Sequence, residues 1–345
     1  MNVKIKEYTY SSRLASHIKS FVASKRASGF SYNNEAKFLN AFDRWLREHP
    51  GFDTGELTKD IVSVWCVKRP TENFNSRNYR VDPVRALAKF MITMGHDAYV
   101  APTFKRHPRE VPYVPSFEEF SKFINFVDNE YTEELLVIKR SQNKYKQLLS
   151  LRLAIILPVM FRMYFCTGMR LNEVTRLKVN NVNWETGKIL IKEAKNDKQR
   201  YIYITLEFLD LLKRCQNALH DTGLFSEWLF PATRTPYTNI KGPTVSNRFM
   251  DAWLKCFPDS NKEARRPTIR ELRNAFVVHR ITRWCLEGKD VDALMPYLSR
   301  HLGHESIDET YGYFRQIEHL VPAVREFLNR NRVFTKEDFE NHDAE

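Results

Sequence analysis

The sequence has little glycine, few cysteines and no long apolar run. Glycine accounts for 11 of 345 residues, which excludes collagen-like and Gly/Ser low-complexity chains. The five cysteines lie far apart and form no CxxC pair. This spacing argues against a disulfide framework or a structural zinc site and fits a reducing cytosol. The longest apolar run, Leu153 to Phe161, is too short to span a bilayer, so we expect no transmembrane helix and no membrane partner.

Basic residues are in clear excess. Lysine and arginine total 54 against 42 acidic residues, a formal charge of +12. A basic globular protein typically binds a polyanion such as DNA, RNA or anionic lipid, although the excess can also serve solubility alone. The apolar fraction of 43% is enough to form cores, and the length predicts two domains at roughly 150 residues each. The first residues lack the apolar core of a signal peptide, which favours a cytoplasmic protein.

Apolar residues at helical spacing predict a small bundle of short amphipathic helices over residues 1–100, and Thr58 can cap the third of them. Residues 101–115 contain four prolines and an excess of basic residues, which predicts an extended linker. Three basic residues of this linker are candidates for DNA backbone contacts, or are simply solvated: Lys105, Arg106 and Arg109. Ser116 and Glu119 then have the spacing of a capping box, which predicts the start of a helix.

Residues 116–335 have a mixed pattern, and 336–345 form an acidic tail. Residues 148–165 predict a buried helix, kinked or broken near Pro158. Two strand-like runs, 189–192 and 200–204, flank a polar turn, and further helices follow. The predicted fold is therefore mainly α with a small β-sheet, an α+β chain with an N-terminal helical bundle.

Three motifs place charged or nucleophilic side chains together. Arg170 lies in TGMRLNE, where Glu173 three residues later can pair with it, although such pairs are common on any helix. Arg270 and Arg273 share a helix face, which is either a solvated basic face or a site for an anion. The third motif is LGH followed by a tyrosine nine residues after His304.

Two details of the third motif narrow its chemistry. Tyr311 and Tyr313 are two residues apart, so on a helix they point to different sides; we expect Tyr313 to be functional and Tyr311 to pack. His301 and His304 lack a third ligand of suitable spacing, so we expect no metal. No motif predicts a cofactor.

Taken together, the motifs resemble those of the site-specific tyrosine recombinases of the lambda-integrase type, which include phage integrases and Xer-like resolvases. The residues that carry the resemblance are Arg170, Lys195, Arg270, Arg273, His304 and Tyr313. The resemblance implies a helical core-binding domain at 1–100, a linker at 101–115 and a catalytic domain at 116–335.

The resemblance also implies a mechanism. Tyr313 attacks a scissile DNA phosphate and forms a 3′-phosphotyrosyl bond, which conserves the phosphodiester energy without ATP or metal. Arg170 and Arg273 hold the non-bridging oxygens, where charge accumulates in the transition state. Lys195, on the hairpin turn, protonates the 5′-oxygen leaving group. His304 donates to the phosphate or manages the tyrosine proton.

Three basic residues have less defined roles. Most members of the family have histidine where this chain has Arg270, and arginine cannot act as a base near neutral pH. Arg270 is therefore expected to add only a phosphate contact. Lys198 and Arg200, near the hairpin turn, either touch DNA or keep the hairpin soluble.

The expected function is that of a recombinase, with an integrase or transposase of a mobile element favoured over an Xer-type resolvase. The alternatives are a non-catalytic DNA-binding protein on the same fold and a type IB topoisomerase. The expected partners are double-stranded DNA and a homotetramer on two DNA sites, with room for accessory DNA-bending or directionality proteins. Residues 319–334 have apolar side chains at helical spacing, which either dock on a neighbouring protomer or fold back.

Overall fold

The structure is a computed structural model and describes residues 5–106, 112–138, 144–192, 199–232, 238–261 and 266–313. Within these ranges it gives the backbone alone for 134–138, 144–149 and 261. The chain divides into two compact units, Met1–Glu110 and Val111–Glu345. The predicted fold class is confirmed, since most described elements are helices and one small antiparallel sheet accompanies them.

The first unit is a four-helix bundle among its described residues. Its helices are α1 (Ala15–Ala27), α2 (Asn33–Glu48), α3 (Lys59–Cys66) and α4 (Phe74–Thr93). The Thr58 hydroxyl caps α3 by accepting from the backbone N–H of Ile61 at 3.4 Å, as its position in the sequence predicts. Phe42 and Trp65 meet edge to face at 5.0 Å between ring centroids in a core built from all four helices.

The second unit contains eight described helices and one hairpin. Its helices are α5 (Phe117–Ile138), α6 (Lys144–Thr167), α7 (Leu171–Thr175), α8 (Leu206–Asp221), α9 (Gly242–Cys256), α10 (Ile269–Leu286), α11 (Val291–Leu302) and α12 (Asp308–Tyr311). Short 3-10 helices occur at Val179–Asn181 and Pro258–Asn261. The predicted capping box opens α5, since Ser116 N–H donates to Glu119 and Glu119 N–H donates back to the Ser116 hydroxyl.

Helix α6 lies in the core of the second unit. Of the two alternatives predicted at Pro158, a kink or a break, the break is wrong, because the helix continues through Pro158 to Thr167. Its stretch Ser150–Thr167 is, by length and composition, apolar enough to cross a membrane. The run Leu153–Phe161 therefore underestimates the length of the apolar helix. However, 67% of that stretch is buried inside the protein, as in the core helix of a globular domain.

The hairpin pairs β1 (Lys188–Ile191) with β2 (Arg200–Tyr203) in antiparallel register, with Ile189 opposite Ile202. Side chains alternate between faces in a strand, so Arg200 lies on the same face as Ile202. Both side chains are buried, whereas Tyr201 between them is exposed. The hairpin therefore places an arginine, among aliphatic residues, on the side that packs on the domain.

Candidate active site

The TGMR motif connects α6 to α7 through a turn that requires glycine. Gly168 has φ of +63°, and a Cβ there would lie 2.5 Å from Cδ1 of Phe276. This left-handed turn against a buried ring ends α6 and places Arg170 at the N-cap of α7. The side chain of Arg170 is about one-third exposed, so part of it is accessible from solvent.

Glu173 is the partner predicted for Arg170, and the structure forms that pair. The Arg170 backbone N–H donates to Oε2 at 2.8 Å and its Nη1 donates to Oε1 at 3.1 Å. Arg200 adds a bidentate pair at 2.9 and 2.8 Å. Burial works against ionisation of this carboxyl, but the Arg200 hydrogen bonds and the charges of both arginines outweigh it and hold the pKa of Glu173 below its ordinary value.

Helix α11 ends beside these arginines at Gly303, which has φ of +66°. The backbone N–H groups of Gly303 and His304 return to the carbonyls of Arg300 and Ser299, a Schellman motif. The next three carbonyls accept from three arginines. Arg200 Nε donates to His301 at 2.7 Å, Arg273 Nη2 to Leu302 at 3.0 Å, and Arg170 Nη2 to Gly303 at 2.8 Å.

This arrangement brings together segments that are far apart in the sequence. The last carbonyls of a helix have no partner within the helix, and its C-terminal end favours positive charge. The end of α11 thus provides acceptors that hold three guanidiniums side by side despite their mutual repulsion.

Of the two arginines expected to hold phosphate, Arg273 is more buried than Arg170, with 7% of the residue exposed. Its Nη1 donates to the carbonyl of Gly168 at 2.7 Å, which ties α10 to the TGMR turn. Burial lowers the pKa of Arg273 to about 10; Tyr313 opposes that shift and the charge of Arg170 adds to it. The guanidinium therefore stays charged at neutral pH.

His304 lies between Arg273 and Thr310. Its Nε2 is 2.9 Å from Arg273 Nη2, and its Nδ1 is 2.7 Å from the Thr310 hydroxyl. Because a guanidinium has no acceptor, Nε2 must be the unprotonated nitrogen, and Nδ1–H donates to Thr310. Burial, followed by the charges of Arg273, Arg170 and Arg200, lowers the pKa of His304 to about 4. His304 is therefore neutral at physiological pH.

Tyr313 is half-buried, and its ring stacks on that of His304 with centroids 6.1 Å apart and planes 7° from parallel. Tyr311 faces elsewhere, since its hydroxyl donates to Asp292 at 3.0 Å. Partial burial and the hydrogen bond to Asp292 raise the pKa of Tyr311 to about 12. As the spacing predicts, the two tyrosines point in different directions, and Tyr313 is the one beside His304 and Arg273.

Of the six predicted site residues, Arg170, Arg273, His304 and Tyr313 come together in the second unit. Arg270 lies one turn before Arg273 on α10 and is exposed. Lys195 falls outside the described residues.

The weaker DNA-contact predictions fare differently. Lys105 and Arg106 are exposed, while Arg109 and Lys198 fall outside the described residues. The prediction for Arg200 is wrong. Only 8% of that residue is exposed, and its guanidinium is committed to Glu173 and His301. The period of two along β2 was the signal that could have found this, because it places Arg200 on the face of Ile202.

The described residues contain no group of three or more His, Cys, Asp or Glu side chains that could hold a metal ion. His301, the second histidine of the motif, is structural. Its Nε2–H donates to the carbonyl of Thr167 at 2.8 Å, and its ring stacks on Phe276. The site thus consists of guanidiniums, one neutral imidazole and one phenol, the groups expected to bind a phosphodiester and supply a nucleophile.

Comparison with known proteins identifies a matching family. Residues 129–319, more than half of the chain, match the phage integrase family. The chain is 28% identical over 202 residues to the tyrosine recombinase XerC of Lactobacillus delbrueckii subsp. bulgaricus, an alignment that covers 58% of this chain. The same alignment covers 62% of XerC, so the chain spans less than two thirds of that relative.

Two solved structures have the same fold. The Tn1549 transposon integrase in complex with a circular intermediate DNA has a TM-score of 0.58 at 15% identity, covering 86% of this chain and 94% of that one. A lambda integrase tetramer bound to a Holliday junction has a TM-score of 0.57 at 15% identity, covering 87% and 76%. The family match, the fold and the spacing of the motifs agree: the chain belongs to the phage integrase family of tyrosine recombinases.

Proposed function

We propose that the protein is a site-specific DNA recombinase that cleaves and rejoins DNA through a 3′-phosphotyrosyl intermediate. One observation carries this proposal: Arg170 and Arg273 bind adjacent carbonyls at the end of α11, and Arg273 links directly to His304, on whose ring Tyr313 stacks. Two cations, an imidazole and a phenol thus converge, although they come from three separate motifs. A non-catalytic DNA-binding protein has no need for this convergence.

In the proposed reaction, the Tyr313 oxygen attacks the scissile phosphorus and the bond to the 5′-oxygen breaks. Arg170 and Arg273 bind the non-bridging oxygens, and the negative charge that builds up there strengthens both contacts. Lys195 supplies the proton to the 5′-oxygen, since an ammonium can give up a proton and a guanidinium essentially cannot. Rejoining reverses these steps with a 5′-hydroxyl from another strand.

His304 is the proposed acceptor of the Tyr313 proton. In the free protein its Nε2 lone pair accepts from Arg273. When a phosphate oxygen takes that N–H, the lone pair becomes available beside the phenol. The bound phosphate also adds negative charge, which raises the pKa of His304 from the low value set by burial and by the surrounding arginines. Arg270 adds an outer phosphate contact from its exposed position on α10.

Three further assignments belong to this proposal. Residues 1–100 are the core-binding domain, 101–115 the linker and 116–335 the catalytic domain; the boundary between the compact units, at 110/111, falls inside that linker. The exposed Lys105 and Arg106 contact the DNA backbone. The active assembly is a homotetramer on two duplexes in the cytoplasm, as supported by the fold shared with the tetrameric lambda integrase complex.

The biological role we propose is integrase or transposase of a mobile element, with support from the fold shared with the Tn1549 integrase. The second candidate is an Xer-type resolvase, which the sequence similarity to XerC favours. Assays of recombination between candidate sites placed on plasmids distinguish the mobile-element role from the resolvase role. A mobile-element enzyme joins the ends of its own element, whereas a resolvase recombines a single chromosomal site.

The test is a covalent adduct assay in EDTA with duplexes tiled across the flanks of the gene, read on a denaturing gel. Wild type and Tyr311→Phe are expected to form a protein–DNA adduct, and Tyr313→Phe is expected to form none. Specific binding without an adduct in wild type would overturn the enzyme proposal in favour of a DNA-binding protein.

A further inference from the structure

Arg200 makes three directional hydrogen bonds. Its Nη1 and Nη2 donate to the two carboxylate oxygens of Glu173 at 2.9 and 2.8 Å, and its Nε donates to the carbonyl of His301 at 2.7 Å. This arrangement uses the fixed fork of a guanidinium, which a lysine ammonium cannot reproduce. With all three sides of its fork engaged and the residue buried, Arg200 is unavailable to DNA.

The contact between Arg200 and the end of α11 is tight. A Cβ at Gly303 would lie 2.9 Å from Nη1 of Arg200. The glycine therefore serves two purposes: it adopts the left-handed turn and leaves room for the guanidinium. The Gly303 carbonyl is also the acceptor of Arg170. Arg200 thus packs directly against the backbone that holds Arg170.

Arg200 also shares an atom with Arg170. Both donate to Oε1 of Glu173, at 2.9 and 3.1 Å. Glu173 is 6% exposed, so the two arginines provide the compensation that a buried carboxylate needs. If Arg200 were absent, the carboxylate would be free to shift toward Arg170 and to take more of its hydrogen-bonding capacity.

We propose that Arg200 is a positioning residue for the recombination chemistry: by holding Glu173 and the end of α11, it keeps the Arg170 guanidinium aimed at the scissile phosphate. This inference rests on the proposed function. It predicts that loss of Arg200 affects the chemical step and leaves DNA binding intact, since a displacement of about 1 Å of a phosphate ligand can lower a rate roughly a hundredfold.

The experiment compares Arg200→Met and Arg200→Lys with wild type in single-turnover cleavage and in duplex binding at several salt concentrations. Arg214→Met is the matched control, since Arg214 is an exposed arginine of the same unit, paired at 3.1 Å with Asp210. We expect Arg200→Met to cleave roughly a hundredfold more slowly with an unchanged dissociation constant. We expect Arg200→Lys to recover part of the rate and Arg214→Met to behave as wild type.

A DNA contact would give a different pattern. Losing a phosphate contact would weaken binding and reduce the salt slope by about one, and this result would overturn the positioning role. Should Arg200→Met fail to fold, Arg200→Lys decides the question. If Arg200→Lys cleaves at the full wild-type rate, a planar guanidinium is not needed at this position and the positioning role is contradicted.

A second variant tests whether the effect passes through Glu173. If it does, Arg200→Met combined with Glu173→Gln is no slower than the slower single variant, whereas independent effects would multiply.

The pH profile gives a readout that a general packing role would not change. Arg170 and Arg200 face Glu173 directly, and Arg273 and His304 interact with it from further away. Without Arg200, the effect of burial on the Glu173 carboxyl is less well offset and its pKa rises. The acidic limb of the cleavage profile should therefore move to higher pH.

The two proposals fail in distinguishable ways. If wild type forms no adduct on DNA that it binds specifically, the recombinase function fails and the positioning role fails with it. If wild type forms the adduct and Arg200→Met forms it at the same rate, only the positioning role is overturned.

Discussion

Nη2 of Arg273 donates a hydrogen bond to Nε2 of His304 across 2.9 Å, and this one contact fixes both the charge and the tautomer of the histidine. A protonated imidazole would have no lone pair for Arg273, so this contact requires the neutral ring. The proton on Nδ1 is directed to Thr310, which is fully buried. The proposed acceptor of the nucleophile's proton is thus held in its accepting form before DNA binds.

The lowered pKa of His304 predicts a pH dependence of stability. Its folded value of about 4 lies below the ordinary 6.5, so the folded state disfavours the proton. The stabilisation from neutral His304 is fully present above pH 6.5 and is lost as the pH falls toward 4. As the pH is lowered through this window, the thermal unfolding temperature should fall less steeply for His304→Gln than for wild type. Parallel curves would show that His304 carries no such linkage.

Gly168 and Gly223 form a matched pair for testing the TGMR turn. Both have positive φ, +63° and +68°, but a Cβ meets Phe276 at 2.5 Å in the first and nothing within 4 Å in the second. Alanine at either position adopts a left-handed conformation at a cost of about 1–2 kcal/mol. Gly168→Ala should lose a further 1–3 kcal/mol, roughly, from overpacking. Urea unfolding of both variants measures this difference, and equal losses would contradict the close approach.

Arg273→Lys tests the planar recognition proposed for the phosphate. A lysine cannot bond Gly168 and Leu302 and also reach His304, as Arg273 does. We expect the single-turnover cleavage rate to fall by roughly 10²–10³-fold, the range seen when a donor to transition-state charge is removed. The control is Arg283→Lys on the same helix, whose exposed side chain pairs with Glu287 at 2.6 Å. Similar rates in both variants would remove Arg273 from the chemistry.

Tyr311→Phe separates the two neighbouring tyrosines by their stability effects. Its lost hydrogen bond to Asp292 should cost about 0.5–1.5 kcal/mol of unfolding free energy while cleavage continues. Tyr313→Phe should show the reverse, with near-normal stability and no cleavage. Chemical denaturation and the adduct assay, run on both variants, provide the comparison. A cleavage defect in Tyr311→Phe at full stability would contradict the assignment.

Local patterns predicted much of this fold. Helical spacing, the Thr58 cap and the Ser116–Glu119 capping box all correspond to helices in the structure. Each depends on residues within one turn of each other, so the sequence alone contains the required information. The prediction of a break at Pro158 failed because the tertiary burial of α6 outweighs the loss of one hydrogen bond.

The contacts that organise the site are nonlocal, and the sequence does not reveal them. Glu173 was predicted as the partner of Arg170, three residues away, but its bidentate partner Arg200 is 27 residues away. Likewise, the acceptors of Arg170 and Arg273 are backbone carbonyls, which no residue type identifies. Only the folded chain shows that the end of α11 gathers the three arginines.

Mass spectrometry of the covalent complex shows directly whether Tyr313 is the nucleophile. The adduct formed in EDTA is digested with nuclease and protease, and the modified peptide is sequenced. We expect a nucleotide joined through its 3′-phosphate to the Tyr313 oxygen. A nucleotide on Tyr311 or another residue, or a linkage through the 5′-phosphate, would contradict it.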